Sequence, residues 1–238
     1  MENEIKQRVF ALSDFHLSFE AEKPMNVFGE HWDNYEAQIL KNWNATVGEN
    51  DVGIIAGDIS WAMKMSETQK DFEFISRLNG KKIIIRGNHD YWWKSISQIR
   101  EYLPENIFAL QNDSLEFEDC VICGTRGWKV PERGQTQTAE DKKIYDREVL
   151  RFELCLKDAE KKLKGKNLIA ILHYPPFNCM RDDSEFTKLC EKYGVSACVY
   201  GHLHGKGGRQ ENIYTKGGVL YYLTSCDKLN FTPTEIKF

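Results

Sequence analysis

The chain is laid out in short apolar runs, and five of them stop at a cluster of Asp, Asn or His. The runs are Val9-Phe10-Ala11-Leu12, Val52-Gly53-Ile54-Ile55-Ala56, Lys82-Ile83-Ile84-Ile85, Leu168-Ile169-Ala170-Ile171-Leu172 and Ala197-Cys198-Val199-Tyr200. Consecutive apolar positions over so few residues predict strands buried on both faces. Directly after them stand Asp14-Phe15-His16, Gly57-Asp58, Gly87-Asn88-His89-Asp90, His173-Tyr174 and Gly201-His202-Leu203-His204-Gly205. Of the 6 histidines only His31 lies outside this series. Ligands of open α/β sheets gather beyond the carboxyl ends of strands, so the clusters are expected to converge on one rim.

Between the runs the period changes to that of a helix. Tyr35, Ile39, Leu40, Trp43 and Val47 recur at helical spacing, and Ser66 with Gln69 reads as a capping box before a helix carrying Phe72, Ile75 and Leu78. Phe108 to Gly124 reads as one or two strands turning at Gln111-Asn112-Asp113. A charged helix is expected from about Thr138 to Lys164. Val219–Thr224 reads as a further strand, with Gly-rich turns at Gly205–Gly208 and Gly217-Gly218. This βαβα rhythm implies an α/β core with two packed sheets, in one domain spanning 1–238. The polar stretch within 126–150 is either a flap over the rim, a small cap, or a mere connection.

The net charge of -4 argues against a scanner of long nucleic acids, which carries a basic face. No run approaches the ~20 apolar residues needed to span a bilayer. The first residues show no signal-peptide pattern, so a cytoplasmic location is expected. The 7 cysteines are dispersed and expected to be reduced thiols, and Cys120-Val121-Ile122-Cys123 reads as strand packing, not a metal or redox pair.

Carboxylate, amide oxygen and imidazole together form a mixed oxygen and nitrogen ligand set, which suits manganese, iron or zinc better than calcium. Each cluster has an ordinary explanation taken singly: Gly-Asp is a common turn, and a lone strand-end histidine usually satisfies a local hydrogen bond. Their recurrence in the same structural position favours chemistry. The number of donors suits two ions, with Asp58 giving one oxygen to each. Asp14, His16 and His204 then complete one site, and Asn88, His173 and His202 the other. Water shared by two dications loses a proton readily and becomes a nucleophile for phosphorus. His89 would be free to act near the ester oxygen, and Asp90 to orient that imidazole or its surroundings. Metal affinity is expected to fall below about pH 6, where histidines protonate.

These five motifs, in this order, resemble the calcineurin-like metallophosphoesterase superfamily. The resemblance implies a four-layer α/β/β/α sandwich of two mixed sheets with a binuclear metal centre at the strand ends. It implies the same ligand assignment and a role for His89 at the leaving group. The chain departs from the family's Ser/Thr protein phosphatases: Gly57-Asp58 continues Ile59-Ser60-Trp61, where those enzymes have Asp-Arg-Gly, and Asp90 stands where they have Glu. The pattern is closer to the bacterial-type phosphodiesterases and small-molecule phosphohydrolases.

The expected activity is hydrolysis of a small-molecule phosphomonoester or phosphodiester. A nuclease, a cyclic-nucleotide diesterase, a nucleotide pyrophosphatase and a non-catalytic binding module are the alternatives. Four residues are candidates for substrate contact: Trp92, by stacking at the rim; Arg126, by gripping a phosphate; and Asn178 and Arg181, on the loop leaving His173.

Overall fold

A computed structural model describes residues 7–205 and 211–238. Part of the expected turn at Gly205–Gly208 therefore lies outside the described residues. The first sheet holds β1 (Val9–Ala11), β2 (Val52–Ile55), β3 (Lys81–Ile84), β4 (Ile107–Ala109) and β11 (Thr234–Glu235), in the order β11-β1-β2-β3-β4. Only β11 runs antiparallel there. The second sheet holds β5 (Asp113–Glu116), β6 (Cys120–Thr125), β7 (Asn167–Leu172), β8 (Ala197–Tyr200), β9 (Ile213–Lys216) and β10 (Val219–Leu223). Its order is β5-β6-β7-β8-β10-β9, with parallel inner strands and antiparallel edges.

Strand alternation divides the core into three apolar layers. Val9, Ala11, Ile54 and Ile83 face Ile122, Ile169, Ile171 and Val199 between the sheets. Phe10, Ile55 and Ile84 point the other way, onto α1 (Tyr35–Thr46), α2 (Gln69–Ser76) and α3 (Ile96–Tyr102). Val121, Cys123, Leu168 and Leu172 point out of the second sheet onto α4 (Ala139–Glu160) and α5 (Glu185–Lys192). Both sheets are covered on both faces, which is why their strands read as continuous apolar runs. The result is the expected four-layer α/β/β/α sandwich.

Two local expectations need correction, and a third, on the cysteines, agrees with the structure. Residues 108–124 contribute to three strands, and the turn before β5 is where the chain passes from the first sheet to the second, with Asn112 at φ 64°. Ser66 does not cap α2. It lies in a 3₁₀ turn, Met65–Glu67, whose Glu67 carboxylate accepts from the Lys64 backbone N–H, and α2 starts after Thr68. Cys120 faces the inter-sheet layer and Cys123 the helical layer, so the two thiols point to opposite sides of β6. All 7 cysteines are free. Residues 126–138 form an irregular segment leading into α4.

Candidate metal centre

Every expected ligand follows the carboxyl end of a parallel strand. Asp14 and His16 follow β1, Asp58 follows β2 and Asn88 follows β3. His173 follows β7, and His202 and His204 follow β8. Four of these residues hold left-handed backbone conformations: Asp14 at φ 60°, His16 at 47°, Asp58 at 51° and His202 at 72°. Such conformations cost roughly 1–3 kcal/mol each outside glycine and persist only where surrounding contacts over-determine them. Here the contacts are visible. Asp14 accepts from the His202 backbone N–H at 2.9 Å and from the Ser225 hydroxyl at 2.9 Å. The motif glycines let the chain approach: a Cβ on Gly87 would lie 2.1 Å from Asp58 Oδ1, and one on Gly201 would lie 2.2 Å from Asp14 Oδ2.

The donors form two groups, Asp14 with His16 and His204, and Asp58 with His173 and His202, each with its ligand atoms within 4.8 Å of one another. Asp58 stands between them. Its Oδ1 accepts from the His89 backbone N–H at 2.8 Å. Its Oδ2 faces both groups, 3.7 Å from His16 Nε2 and 3.5 Å from His173 Nε2.

The residues fit cations. His173 Nδ1 lies 2.9 Å from the Ala56 carbonyl, which can only accept, so Nδ1 carries the proton and Nε2 presents a lone pair. That lone pair faces Asn88 Oδ1 at 2.7 Å and Asp58 Oδ2 at 3.5 Å. A ring nitrogen, an amide oxygen and a carboxylate oxygen thus converge on one point, a donor set that suits a positive ion. On the other side His16 Nε2 and His204 Nε2 stand 3.2 Å apart, and His16 Nδ1 is buried without a partner.

The electrostatics agree. Burial alone would raise the Asp14 carboxyl, but His204, His173 and His16 hold it well below the usual carboxylate range. Burial and the neighbouring Asp14 push Asp58 up to about 8. Burial also lowers His16 and His173, leaving neutral imidazoles suited to metal binding.

His89 is half-buried, its ring 4.6 Å from the Trp61 ring and 5.5 Å from that of His16. Among the described residues neither of its ring nitrogens is hydrogen-bonded, and burial, then His173, holds it below its ordinary value. A neutral ring is thus left with an N–H to offer. Of the two roles expected for Asp90, its hydrogen bonds go to the surroundings of His89 and not to the ring. Fully buried, it accepts from the backbone N–H groups of Ile59, Ser60 and Gly87 and from the Trp92 indole. It thereby ties the Asp58 loop to the Asn88 loop and acts as a positioning residue.

Trp92 is 0% exposed, packed on Phe72 and bonded to Asp90, so it offers no face to a substrate. The rim ring is Trp61, stacked on His16 at 4.7 Å, with Trp32 beyond it. Both line a cavity of about 340 Å³ with His16, His89 and His204. His31, the histidine outside the motif series, lines it too. Asn178 spends its amide on Pro131 O and Asp182, and Arg181 stacks on Tyr214 and pairs with Glu211 at 3.2 Å, so both brace their loop. The Arg126 backbone carbonyl accepts from the His173 backbone N–H at 3.0 Å, and its guanidinium lies 3.7 Å from Glu148.

Sequence reasoning did not single out Asp227, whose Oδ1 lies 3.1 Å from His204 Nδ1. It follows β10 within Thr224-Ser225-Cys226-Asp227, so the strand-end rule that found the other clusters would have found it. Trp61 carried only the weak cue of lying three residues after Asp58.

Among the described residues no helix is long and apolar enough to cross a membrane. The chain is 26% identical over 125 residues to uncharacterized protein MJ1445 of Methanocaldococcus jannaschii, covering 50% of this chain and 68% of that one. In fold it is similar to TT1561 of Thermus thermophilus, with a TM-score of 0.60 at 12% identity over 98% of this chain and 99% of that one. It is also similar to AQ665 from Aquifex aeolicus, a protein of unknown function, with a TM-score of 0.52 at 16% identity over 97% and 96%. The calcineurin-like phosphoesterase family profile matches residues 7–206. With the motifs, the sandwich and the paired ligand groups in agreement, the chain belongs to the calcineurin-like phosphoesterases, a family of metal-dependent phosphoesterases.

Proposed function

We propose that this protein is a binuclear metal-dependent phosphohydrolase that cleaves a phosphoester of a small molecule, a phosphodiester or phosphomonoester, in the cytoplasm and as a single domain. The observation that carries this reading is Asp58 Oδ2, which faces both ligand groups at once. Manganese, iron or zinc would be held by Asp14, His16 and His204 on one side and by Asn88, His173 and His202 on the other, with Asp58 between. Two such ions lower the pKa of water and neutralise phosphoryl charge. The remaining work falls to the chain. Asp90 and the Asp58 carboxylate hold the loops that place His89, and the free His89 N–H stabilises the departing ester oxygen. Trp61 shields that ring from water on one side.

A nucleotide diester is the second reading, favoured by the aromatic wall of Trp32 and Trp61 beside His89. Bis-p-nitrophenyl phosphate hydrolysis by manganese-loaded protein, with bound metal counted, tests the primary reading. Asp58→Asn is expected to lose metal and most turnover. His89→Ala is expected to keep both ions and lose about 10²–10⁴-fold in kcat. Full activity in both variants would refute the assignment.

A further inference from the structure

A second cavity, of about 300 Å³, opens on the same rim and is lined by Arg86, Lys94, Arg126, Arg147, Arg151 and a single acid, Glu148. Arg86 lies two residues before Asn88, and Arg126 is bonded through its carbonyl to the His173 and Tyr174 backbone N–H groups. The Tyr174 ring in turn sits 4.4 Å from that of His202. The pocket is therefore built on the residues that deliver the second ligand group.

Its charges do not balance. Glu148, a fully buried residue of α4, faces three guanidinium groups through one oxygen: Arg151 at 2.7 Å, Arg147 at 3.6 Å and Arg126 at 3.7 Å. Among the described residues Arg86 and Lys94 have no carboxylate within ion-pair distance, and the Arg86 Nε is buried without any acceptor. The other Glu148 oxygen is equally unpartnered. Five cations against one carboxylate, in a chain whose net charge is -4, is not an internal salt-bridge network. An orphaned Arg86 donor and an excess of cations around an open cavity call for an oxyanion, whose planar or tetrahedral oxygens accept forked N–H donors. Buried donors left without acceptors are costly, so a ligand that satisfies Arg86 would gain by it.

We infer that this pocket is a subsite for a second phosphate group carried by the substrate, placed beside the scissile phosphate at the metal centre. The inference deepens the proposed phosphohydrolase reading and rests on it for the scissile phosphate only. It narrows the substrate class to compounds with at least two phosphates, and it assigns Arg86 and Arg126 as specificity-determining residues.

Two experiments test it. In the first, inorganic pyrophosphate is titrated calorimetrically into the Asp58→Asn protein, whose metal centre is disabled. Binding is expected to persist there and to weaken at least tenfold when Arg86→Gln and Arg126→Gln are added. Lys94→Gln, at an exposed position, gives a milder loss that does not depend on the buried substitutions folding. Absence of pyrophosphate binding in Asp58→Asn, or binding untouched by all three changes, overturns the pocket. In the second, manganese-loaded enzyme hydrolyses p-nitrophenyl thymidine 5′-phosphate and its 3′-phosphorylated form. The second phosphate is expected to raise kcat/KM at least tenfold, and Arg86→Gln with Arg126→Gln to erase that preference. Equal kcat/KM for the two esters, or pyrophosphate acting as a non-competitive effector of both, overturns the substrate role. If neither ester is hydrolysed, the phosphohydrolase reading fails while the calorimetry still decides the anion pocket.

Discussion

His202 and His204 leave the same strand two residues apart, and their surroundings drive them in opposite directions. Burial, reinforced by His173, pushes His202 down to about 4. Burial acts in the same sense on His204, but Asp14 and Asp227 outweigh it and push that ring up to about 10. One half of the centre thus holds its imidazoles neutral, and the other keeps a proton on His204 that a metal must displace. Identical residue types in one motif become unlike ligands because a carboxylate stands behind only one of them. The expectation that metal affinity falls only below about pH 6 therefore holds poorly for the first group, where protons compete up to much higher pH.

The sharpest way to break the comparison is to delete each ring. His202→Ala and His204→Ala are each expected to lose one ion of the pair and most turnover, read by metal analysis and hydrolysis of bis-p-nitrophenyl phosphate. A variant that retains both ions would remove its histidine from the ligand set. Asp227→Asn is a subtler cut, removing the support and leaving the ring. It is expected to weaken metal binding at the first group by about 10–100-fold, the usual effect of losing a ligand's hydrogen-bonding partner. The second group should bind as before, so loss at both sites would show that the halves are not distinct.

Protons sharpen the contrast further. In metal-free protein at pH 7, His204 (about 10) and Asp58 (about 8) are protonated, whereas His202 (about 4) is not. Loading with manganese should expel about two protons, a number read from calorimetry in buffers of different ionisation heat. Because the proton leaves on binding, affinity rises with pH through both upper values, and Asp227→Asn should flatten the higher part of that rise. Release of no protons would contradict the assigned states. The smallest effect belongs to Ser225→Ala, which takes one hydroxyl donor from Asp14. A loss of about 1 kcal/mol in folding stability is expected from thermal unfolding, as for a single buried hydrogen bond.

Much of the site is legible in the chain itself. Apolar runs of β length, each ending in Asp, Asn or His, specify both the sandwich and the rim, because side-chain period and strand length are local properties. The helices at Tyr35–Thr46 and Ala139–Glu160 are legible for the same reason. Less legible is the place where the chain changes sheets, since β4 and β5 are separated only by residues 110–112. The ring at the rim is also easily misplaced: Trp92 and Trp61 are chemically equivalent, and only the Asp90 carboxylate, reached through packing, turns Trp92 inward.

Strand ends, ligand types and hence the class of chemistry each depend on residues close together in the chain, and so they can be read from its order. The fold was needed to bring one oxygen of Asp58 to both ligand groups, and to set Asp227 behind His204 with no such carboxylate hydrogen-bonded to the His202 ring among the described residues. It also gathered Arg86, Arg126 and Arg147 from three separate elements into one cavity. Those features are set by distance and burial between residues far apart in sequence, and a field that falls off over a few ångströms cannot be read from order along a chain.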